Sequence, residues 1–312
     1  MPLHPVIAAA LLKGANVPPY HTLPLTQARA QAKQAYVNDL PQIVVADVRD
    51  LTIPGPAGPM ALRVYSPAGD GPHPVLVFFH GSGFVVLDLD SHDEICRRLC
   101  VGAACVVVSI DYRLAPEHRF PAGPDDCLFA TRWVADHATE FNGDASRLAV
   151  CGDSAGGCLA AVTALRLRDE GGPSLRAQLL FYPVTDHYSA GHASFDRYGT
   201  GHGLTAEGMR WFWDQYLADG SVAAEAGSPN ASPLRATSLA GLPPAFVQVA
   251  EYDVLRDEGE AFAAQLSAAG VPVVMQCRAG MNHGYLKYAG LLDEAGGAMN
   301  EACAWLAKNL RA

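Results

Sequence analysis

The stretch LAVCGDSAGGCLAAVTALRLR, residues 148–168, decides the fold class of this chain. Its first four residues are apolar and its last eleven favour a helix, so it predicts a strand, a sharp turn and a helix. Ser154 stands in the turn, within the pattern Gly-X-Ser-X-Gly. So tight a turn strains the serine backbone, and only small residues two positions away avoid a clash. The pattern predicts an exposed serine that can act as a nucleophile.

Apolar runs of strand length recur along the rest of the chain. Most are continuous rather than alternating, which indicates strands buried on both faces. Because helical patterns separate several of them, we predict an α/β fold with a mostly parallel central sheet flanked by helices. The predicted strands cover residues 75–79, 105–110, 148–151, 177–182, 245–250 and 271–277. The predicted helices cover residues 90–101, 124–138, 154–169, 255–269 and 289–310.

Three regions fall outside this alternation. Residues 43–53 and 60–65, joined by a Pro- and Gly-rich turn, are expected to pair antiparallel at one edge of the sheet. Residues 1 to about 42 and residues 185–219 are expected to form a lid over a single domain of residues 1–312. The second of these contains Trp211-Phe212-Trp213, which either packs on the core or lines a substrate site.

Composition excludes several classes of protein. Half of the 312 residues are hydrophobic and 17% are charged, which is typical of a globular chain. No apolar run approaches the roughly 20 residues of a membrane span, and no export signal is evident. A net charge of −10 without basic runs argues against a nucleic-acid partner. The eight cysteines sit mostly in apolar segments, which indicates buried thiols and a cytoplasmic protein.

A serine hydroxyl needs a base to take its proton and a third group to orient that base. In this architecture the acid and then the histidine follow the serine along the chain. Asp253 comes just after the predicted strand 245–250, and His283 comes after the strand 271–277. Open α/β sheets place their sites at these strand ends. We therefore predict a triad of Ser154, Asp253 and His283.

Other residues compete for two of these roles. Glu251, Asp257 and Glu258 are also near enough in sequence to supply the acid. The last two fall on a predicted helix, where the helix dipole stabilises first-turn carboxylates, so Asp253 in the loop is preferred. His283 has the alternative of being an ordinary loop histidine, since the chain has eleven.

The loop His80-Gly-Ser-Gly-Phe84 follows the strand 75–79 and can supply backbone N–H groups to an oxyanion, with Ala155 adding another. The same glycines fit a dinucleotide fingerprint poorly, because only two of its three glycines are present. His92, Cys96 and Cys100 recur on one helix face, but three ligands from one helix are a weak zinc signal. No cofactor and no metal are expected.

Six motifs in this order resemble those of the bacterial hormone-sensitive-lipase-like esterases of the α/β-hydrolase superfamily, nearly from end to end. They are HGSGF (80–84), LDSHD (89–93), DYRLAPEHRFPA (111–122), GDSAGG (152–157), DVLRDEG (253–259) and HG (283–284). The resemblance implies an α/β-hydrolase fold with a helical cap formed by residues 1–42 and 185–219. It also implies a carboxylesterase that acts on small esters of short to medium acyl chain through an acyl-enzyme. Its oxyanion donors would be the N–H groups of Ser82, Gly83 and Ala155.

The family pattern has glycine where this chain has Ser82. A side chain there would be strained if the position needed a positive φ, and we expect Ser82→Gly to retain activity. Candidate substrate-binding residues are Phe84, Trp211, Leu255 and Tyr285.

Several alternatives remain open at this point. A non-catalytic small-ligand receptor can share the fold, and an amidase, lactonase or thioesterase can use the same triad. A homodimer through the last strand and helix is also plausible.

Overall fold

The computed structural model describes residues 1–36, 40–218 and 222–311, and in them one eight-stranded sheet carries the fold. The strands run in the order β1-β2-β4-β3-β5-β6-β7-β8, with β2 antiparallel to β1 and to β4 and all other pairs parallel. They are β1 (Asp47–Gly55), β2 (Gly58–Ser66), β3 (His73–Phe79), β4 (Val106–Ile110), β5 (Gly143–Asp153), β6 (Leu175–Phe181), β7 (Ala245–Tyr252) and β8 (Val273–Asn282). The predicted antiparallel pair is β1 and β2, at one edge.

Helices cover both faces of this sheet, and further helices lie in the N-terminal segment and in the insertion between β6 and β7. The helices in the described residues are α1 (Pro5–Lys13), α2 (Leu25–Gln34), α3 (Asp93–Ala103), α4 (Ala122–Asp136), α5 (Ala155–Glu170), α6 (Ala193–Tyr198), α7 (Ala206–Tyr216), α8 (Val222–Ala226), α9 (Arg256–Ala268) and α10 (Asp293–Leu310). Alternate residues of β3 enter two separate cores, Val77 and Phe79 on one side and Leu76 and Phe78 on the other. Residues 75–79 of this strand are therefore all apolar, as a two-sided core requires.

Apart from shifts of a few residues at the ends of other elements, two elements differ from the predictions. The strand predicted at 271–277 is β8, which starts at Val273 and continues to Asn282. Its second half, residues 278–282 with the sequence RAGMN, has no continuous apolar run and therefore lacks a strand signal, although its last three residues are buried. The helix α1 was not predicted, because its apolar run is short and half exposed, although Ile7 is fully buried.

The N-terminal segment and the insertion between β6 and β7 meet on the same side of the molecule. The rings of Tyr20 and Phe212 are 6.2 Å apart. The Arg29 guanidinium donates to the carbonyl oxygens of Val85 and Ala115. Residues 37–39 and 219 of the predicted lid lie outside the described residues.

A buried carboxyl group ties the start of the insertion to α9. The backbone N–H groups of Thr185 and Asp186 donate to Glu258 Oε1 at 2.8 and 3.3 Å. Burial raises the pKa of Glu258 well above its usual range, which favours the protonated carboxyl. Because Asp253 lies just before α9, the insertion and the loop that carries Asp253 share one support.

The eight cysteines are all free, with seven buried and Cys277 of β8 exposed. Among the helices that the structure describes, none has the length and apolarity of a membrane-crossing segment.

Candidate active site

Ser154 sits in a strained turn between β5 and α5. Its φ of 55° and ψ of −122° are unusual for a residue with a side chain. A Cβ on Gly152 would lie 2.1 Å from the carbonyl oxygen of Gly156, and one on Gly156 would lie 1.9 Å from that of Phe79. Both flanking glycines are therefore required by space, as the sequence pattern predicts.

His283 bridges Ser154 and Asp253 by two hydrogen bonds. Its Nε2 is 2.9 Å from Ser154 Oγ, and its Nδ1 is 2.7 Å from Asp253 Oδ2. The other oxygen of Asp253 accepts the Leu255 N–H at 3.0 Å, so the carboxylate is held from both sides. With Nδ1–H donated to the carboxylate, Nε2 is left as the acceptor for the serine hydroxyl. This is the arrangement of a nucleophile, a base and an orienting acid.

The competing carboxylates lie elsewhere. Glu251 accepts the N–H of Gly280 at 2.7 Å, and Asp257 accepts the N–H of Ser194 at 2.8 Å. Glu258 holds the start of the insertion. The structure thus brings Asp253 to His283 and gives the other three carboxylates different partners.

The predicted oxyanion loop lies beside Ser154. Gly83 has a φ of +54°, and a Cβ there would lie 2.3 Å from the Phe212 ring, so this position needs glycine. Ser82 is not among the residues with positive φ, and the strain considered for it does not arise. No acceptor for the N–H groups of Ser82, Gly83 or Ala155 is found in residues 1–36, 40–218 and 222–311.

The Ser82 hydroxyl clamps the loop. Its oxygen accepts the Phe84 N–H at 2.8 Å and lies 2.6 Å from the Tyr112 hydroxyl oxygen. Tyr112 donates its single hydroxyl proton to the carbonyl oxygen of His80 at 2.7 Å, so Ser82 must be the donor to Tyr112. The sequence argument missed Tyr112, whose only signal was its place in the 111–122 motif.

Asp153, the residue before the serine, also holds this loop. Its buried carboxylate accepts the Gly81 N–H at 2.7 Å. His92 Nε2 lies 3.2 Å from the same oxygen. Burial alone would raise the pKa of Asp153, but the His92 ring and the Gly81 N–H hold it below its usual range. Sequence reasoning missed this role, although an acid beside the nucleophile was its signal.

The four candidate substrate-binding residues occupy different environments. The ring of Phe84, the last residue of the predicted oxyanion loop, stacks on Tyr216 with centroids 3.9 Å apart. Trp211 is half buried and contacts Phe212. Leu255 and Tyr285 are fully buried.

The structure places the Tyr285 side chain in the core rather than at a substrate site. Its hydroxyl donates to Gln248 at 2.7 Å, and its ring packs against Tyr182, which in turn contacts the His283 ring. Leu255 is likewise a core residue whose backbone N–H, rather than its side chain, serves the site.

His92, Cys96 and Cys100, the three residues of the weak zinc pattern, lie among other protein groups. The His92 ring packs between those of Tyr36 and His80, and burial raises the pKa of the Cys96 and Cys100 thiols. Within the described part of the chain, no group of three His, Cys, Asp or Glu side chains could hold a metal ion.

A family model described as the alpha/beta hydrolase fold matches residues 76–287. The chain belongs to this family. It is 46% identical over 275 residues to the carboxylic ester hydrolase LipN of Mycobacterium tuberculosis, covering 86% of this chain and 72% of LipN. It is 37% identical over 309 residues to an ethyl acetate hydrolase of Pseudomonas putida, covering 95% of each.

Solved structures agree with this assignment. A thermostable esterase from Pseudomonas putida is 40% identical, with a TM-score of 0.92 over 99% of this chain and 98% of that one. A hyperthermophilic esterase from Pyrobaculum calidifontis is 38% identical, with a TM-score of 0.91 over 99% of both chains. The chain is a bacterial hormone-sensitive-lipase-like esterase with the α/β-hydrolase fold, and it is a serine hydrolase.

Proposed function

We propose that this enzyme hydrolyses carboxylic esters of short to medium acyl chain through Ser154, His283 and Asp253. The observation that supports the proposal is the unbroken line of hydrogen bonds, 2.9 Å from Ser154 to His283 and 2.7 Å from His283 to Asp253. An ester is a suitable substrate because its carbonyl carbon accepts a serine nucleophile and its alcohol leaves readily. The relatives named as ester hydrolases support the same substrate class.

The reaction has two steps. Ser154 Oγ attacks the ester carbonyl carbon while His283 Nε2 takes the hydroxyl proton. The tetrahedral intermediate then collapses, His283 returns the proton to the departing alcohol, and the acyl group stays on Ser154. In the second step, water attacks the acyl carbon while His283 Nε2 takes its proton. The bond from the acyl carbon to Ser154 Oγ then breaks, His283 returns the proton to Oγ, and the acid leaves. Throughout, Asp253 keeps His283 in the tautomer that accepts at Nε2 and stabilises the imidazolium.

The negative charge of the intermediate needs fixed donors. The N–H groups of Ser82, Gly83 and Ala155 are the proposed oxyanion hole, because they adjoin Ser154 and have no acceptor in the described residues. Loss of one such donor typically costs about 2.7–4 kcal/mol of transition-state stabilisation. Ala155 is also the first residue of α5, so the positive end of the helix dipole adds to the effect.

Residues 1–42 and 185–219 are the proposed cap. Phe212 of α7 lies against Gly83, and Tyr20 of the N-terminal segment contacts Phe212, so both segments reach the oxyanion loop. Phe212→Ala should therefore change KM and the acyl-chain optimum more than it changes kcat on acetate. An unchanged chain-length profile would count against the cap.

The experiment that tests the function is hydrolysis of p-nitrophenyl esters from acetate to palmitate by wild type and by Ser154→Ala. We expect wild type to hydrolyse the short-chain esters fastest. We expect kcat on these esters to be at least about 10⁴-fold lower in Ser154→Ala. Rapid mixing should show a burst of p-nitrophenolate, the mark of an acyl-enzyme. Circular dichroism checks that the variant is folded.

Other outcomes would overturn the proposal. Absence of turnover in folded wild type, with ligand affinity unchanged in Ser154→Ala, would indicate a receptor. A matched panel of amide, thioester and lactone substrates tests the remaining alternatives, and a kcat/KM higher on one of these than on every ester would reassign the enzyme.

We also propose a homodimer formed through β8. This strand ends the sheet, its far edge has no strand partner among the described residues, and Val274 and Met275 are exposed on it. Apolar edge strands tend to pair with another chain. Light scattering should give twice the mass of the 33.0 kDa chain, and a monomeric mass would refute the proposal.

A further inference from the structure

Three aromatic side chains, His187, Trp213 and Tyr216, form a cluster beside the oxyanion loop. The ring of Trp213 contacts that of His187 at 4.9 Å and that of Tyr216 at 5.8 Å. Phe84, the last residue of the loop, lies against both Trp213 and Tyr216. The cluster therefore joins the insertion to the end of the proposed oxyanion loop.

Each side chain of the cluster has one buried hydrogen-bonding atom without a hydrogen-bond partner among the described residues. The side chains are 5%, 1% and 2% exposed in the order His187, Trp213, Tyr216. Their atoms Nε2, Nε1 and the hydroxyl oxygen find no hydrogen-bond partner in the described parts of the chain. Buried polar atoms are almost always paired, and three unpaired ones within one cluster call for an explanation.

The tautomer of His187 can be assigned from its neighbours. The backbone N–H of Ser189 donates to Nδ1 at 3.3 Å, and the Ser189 hydroxyl lies 2.8 Å from the same atom. Nδ1 is therefore an acceptor, and in the neutral ring the hydrogen is on Nε2. Burial lowers the pKa of His187, which favours that neutral ring.

Both leftover nitrogens are then donors, because the indole Nε1–H of Trp213 can only donate. The nearest carboxylate in sequence, Asp186, is already engaged. One of its oxygens accepts from Arg235 at 2.7 Å, and the other lies 3.2 Å from His192 Nε2. The two donors thus require an acceptor that the described residues do not supply.

We propose that His187 Nε2–H and Trp213 Nε1–H form a polar subsite that binds a second oxygen atom of the ester, outside the reacting carboxyl group. The ligand class is an ester with a hydroxyl, ether or keto oxygen in its acyl or its alcohol portion. The subsite rests on the esterase function proposed above and narrows its substrate class. A site with buried donors discriminates against analogues that lack the acceptor, because the donors then stay unpaired.

The test compares pairs of esters in which an ether oxygen replaces one methylene. The acyl arm uses p-nitrophenyl methoxyacetate and p-nitrophenyl butyrate, and the alcohol arm uses 2-methoxyethyl butyrate and butyl butyrate. The two esters of a pair differ in intrinsic reactivity, but that difference is the same for every enzyme. We therefore divide kcat/KM of the ether ester by kcat/KM of its hydrocarbon partner and compare this ratio between enzymes. In His187→Phe and in Trp213→Phe, we expect this ratio to fall by about tenfold in one arm. The arm that responds identifies the portion of the ester that reaches the subsite.

A matched control is His137→Phe. His137 also stacks on a tryptophan, Trp133, at 4.1 Å, but at the end of α4 and away from the oxyanion loop. Its ratios should equal those of wild type. If His187→Phe fails to fold, the same ratio in Trp213→Phe decides the question.

The outcomes separate the two proposals. If wild type does not hydrolyse p-nitrophenyl butyrate or butyl butyrate, the esterase function itself has failed. If it does, and the ratios in both arms are unchanged in folded His187→Phe and Trp213→Phe, the subsite is refuted while the function stands.

Discussion

Ser82→Gly is the most informative single change, because the hydroxyl of Ser82 holds the oxyanion loop by two hydrogen bonds. It accepts the Phe84 N–H at 2.8 Å and donates to Tyr112 at 2.6 Å. The substitution removes both bonds but leaves the N–H groups of Ser82 and Gly83 in the chain. Stability and catalysis should therefore respond to different extents.

The magnitude follows from what is left unpaired. Phe84 is only 3% exposed, so its N–H would lose its acceptor in a buried site, which costs about 1–3 kcal/mol. A new glycine also makes the unfolded chain more flexible, which adds about 0.4–1 kcal/mol. We expect the free energy of unfolding to fall by about 1.5–4 kcal/mol. Because the proposed oxyanion donors remain, kcat should fall by about tenfold or less, which is a smaller loss than the roughly 10²–10³-fold fall in kcat on removal of one donor.

The assay is equilibrium unfolding in urea together with kcat and KM on p-nitrophenyl butyrate. Tyr112→Phe is the comparison variant, because it removes the contact with Ser82 and the bond to the His80 carbonyl oxygen but keeps the bond from Phe84 N–H to the serine oxygen. Its effect on kcat should be smaller than that of Ser82→Gly. An unchanged urea midpoint in Ser82→Gly would show that the two hydrogen bonds of the Ser82 hydroxyl do not stabilise the protein. Loss of nearly all turnover in the folded variant would show instead that the hydroxyl takes part in the reaction.

Three further changes test other parts of the site. Asp153→Ala removes the acceptor of the Gly81 N–H, so the oxyanion loop should lose its position and kcat should fall about 10- to 100-fold in ester hydrolysis. Gly156→Ala places a Cβ 1.9 Å from the Phe79 carbonyl oxygen, and urea unfolding should show a loss above about 4 kcal/mol, or no folded protein. Glu258→Gln should raise Tm at pH 8 and leave it nearly unchanged at pH 4, measured by thermal unfolding. Burial raises the pKa of Glu258, so wild type loses stability as the pH rises above the unfolded value of about 4.3 toward the folded one.

Each of these has its own control. Gly297→Ala, on α10, meets no atom within 4 Å and should be neutral or stabilising. Asp153→Asn keeps an oxygen that can accept the Gly81 N–H and should retain more activity than Asp153→Ala. Equal kcat in wild type, Asp153→Asn and Asp153→Ala would show that Asp153 does not position the loop. A Tm difference in Glu258→Gln that does not vary with pH would mean that ionisation of Glu258 does not affect stability.

Most of the scaffold could be predicted from the sequence because two-sided burial leaves a strong pattern. Continuous apolar runs located the central strands, and the glycines around Ser154 located the turn. The order of Asp253 and His283 after successive strands predicted the two side chains that the structure joins to Ser154 by hydrogen bonds. These signals are local, and each is tied to a packing requirement that few other residues satisfy.

The remaining features depend on contacts between distant parts of the chain. The pair Ser82 and Tyr112 is separated by 30 residues, and its hydrogen bond has no local pattern. The second half of β8, with the sequence RAGMN, contains Arg, Gly and Asn instead of a continuous apolar run, so it resembled a loop although its last three residues are buried. Tyr285 follows His283 closely in sequence, yet its side chain turns into the core, which only the packing of Tyr182 and Gln248 determines.

The exposed thiol of Cys277 offers a natural labelling position. Seven other thiols are buried, so a maleimide probe on folded protein should react at this one position without any cysteine being replaced. Partial desolvation of its sulfur by burial and the nearby Glu260 carboxylate raise the pKa of Cys277, and mildly alkaline buffer should therefore speed the reaction. Since Cys277 lies on the open edge of β8, two dyes would come close whenever two chains pair there. Energy transfer between the two dyes would then report association at protein concentrations far below those that light scattering requires.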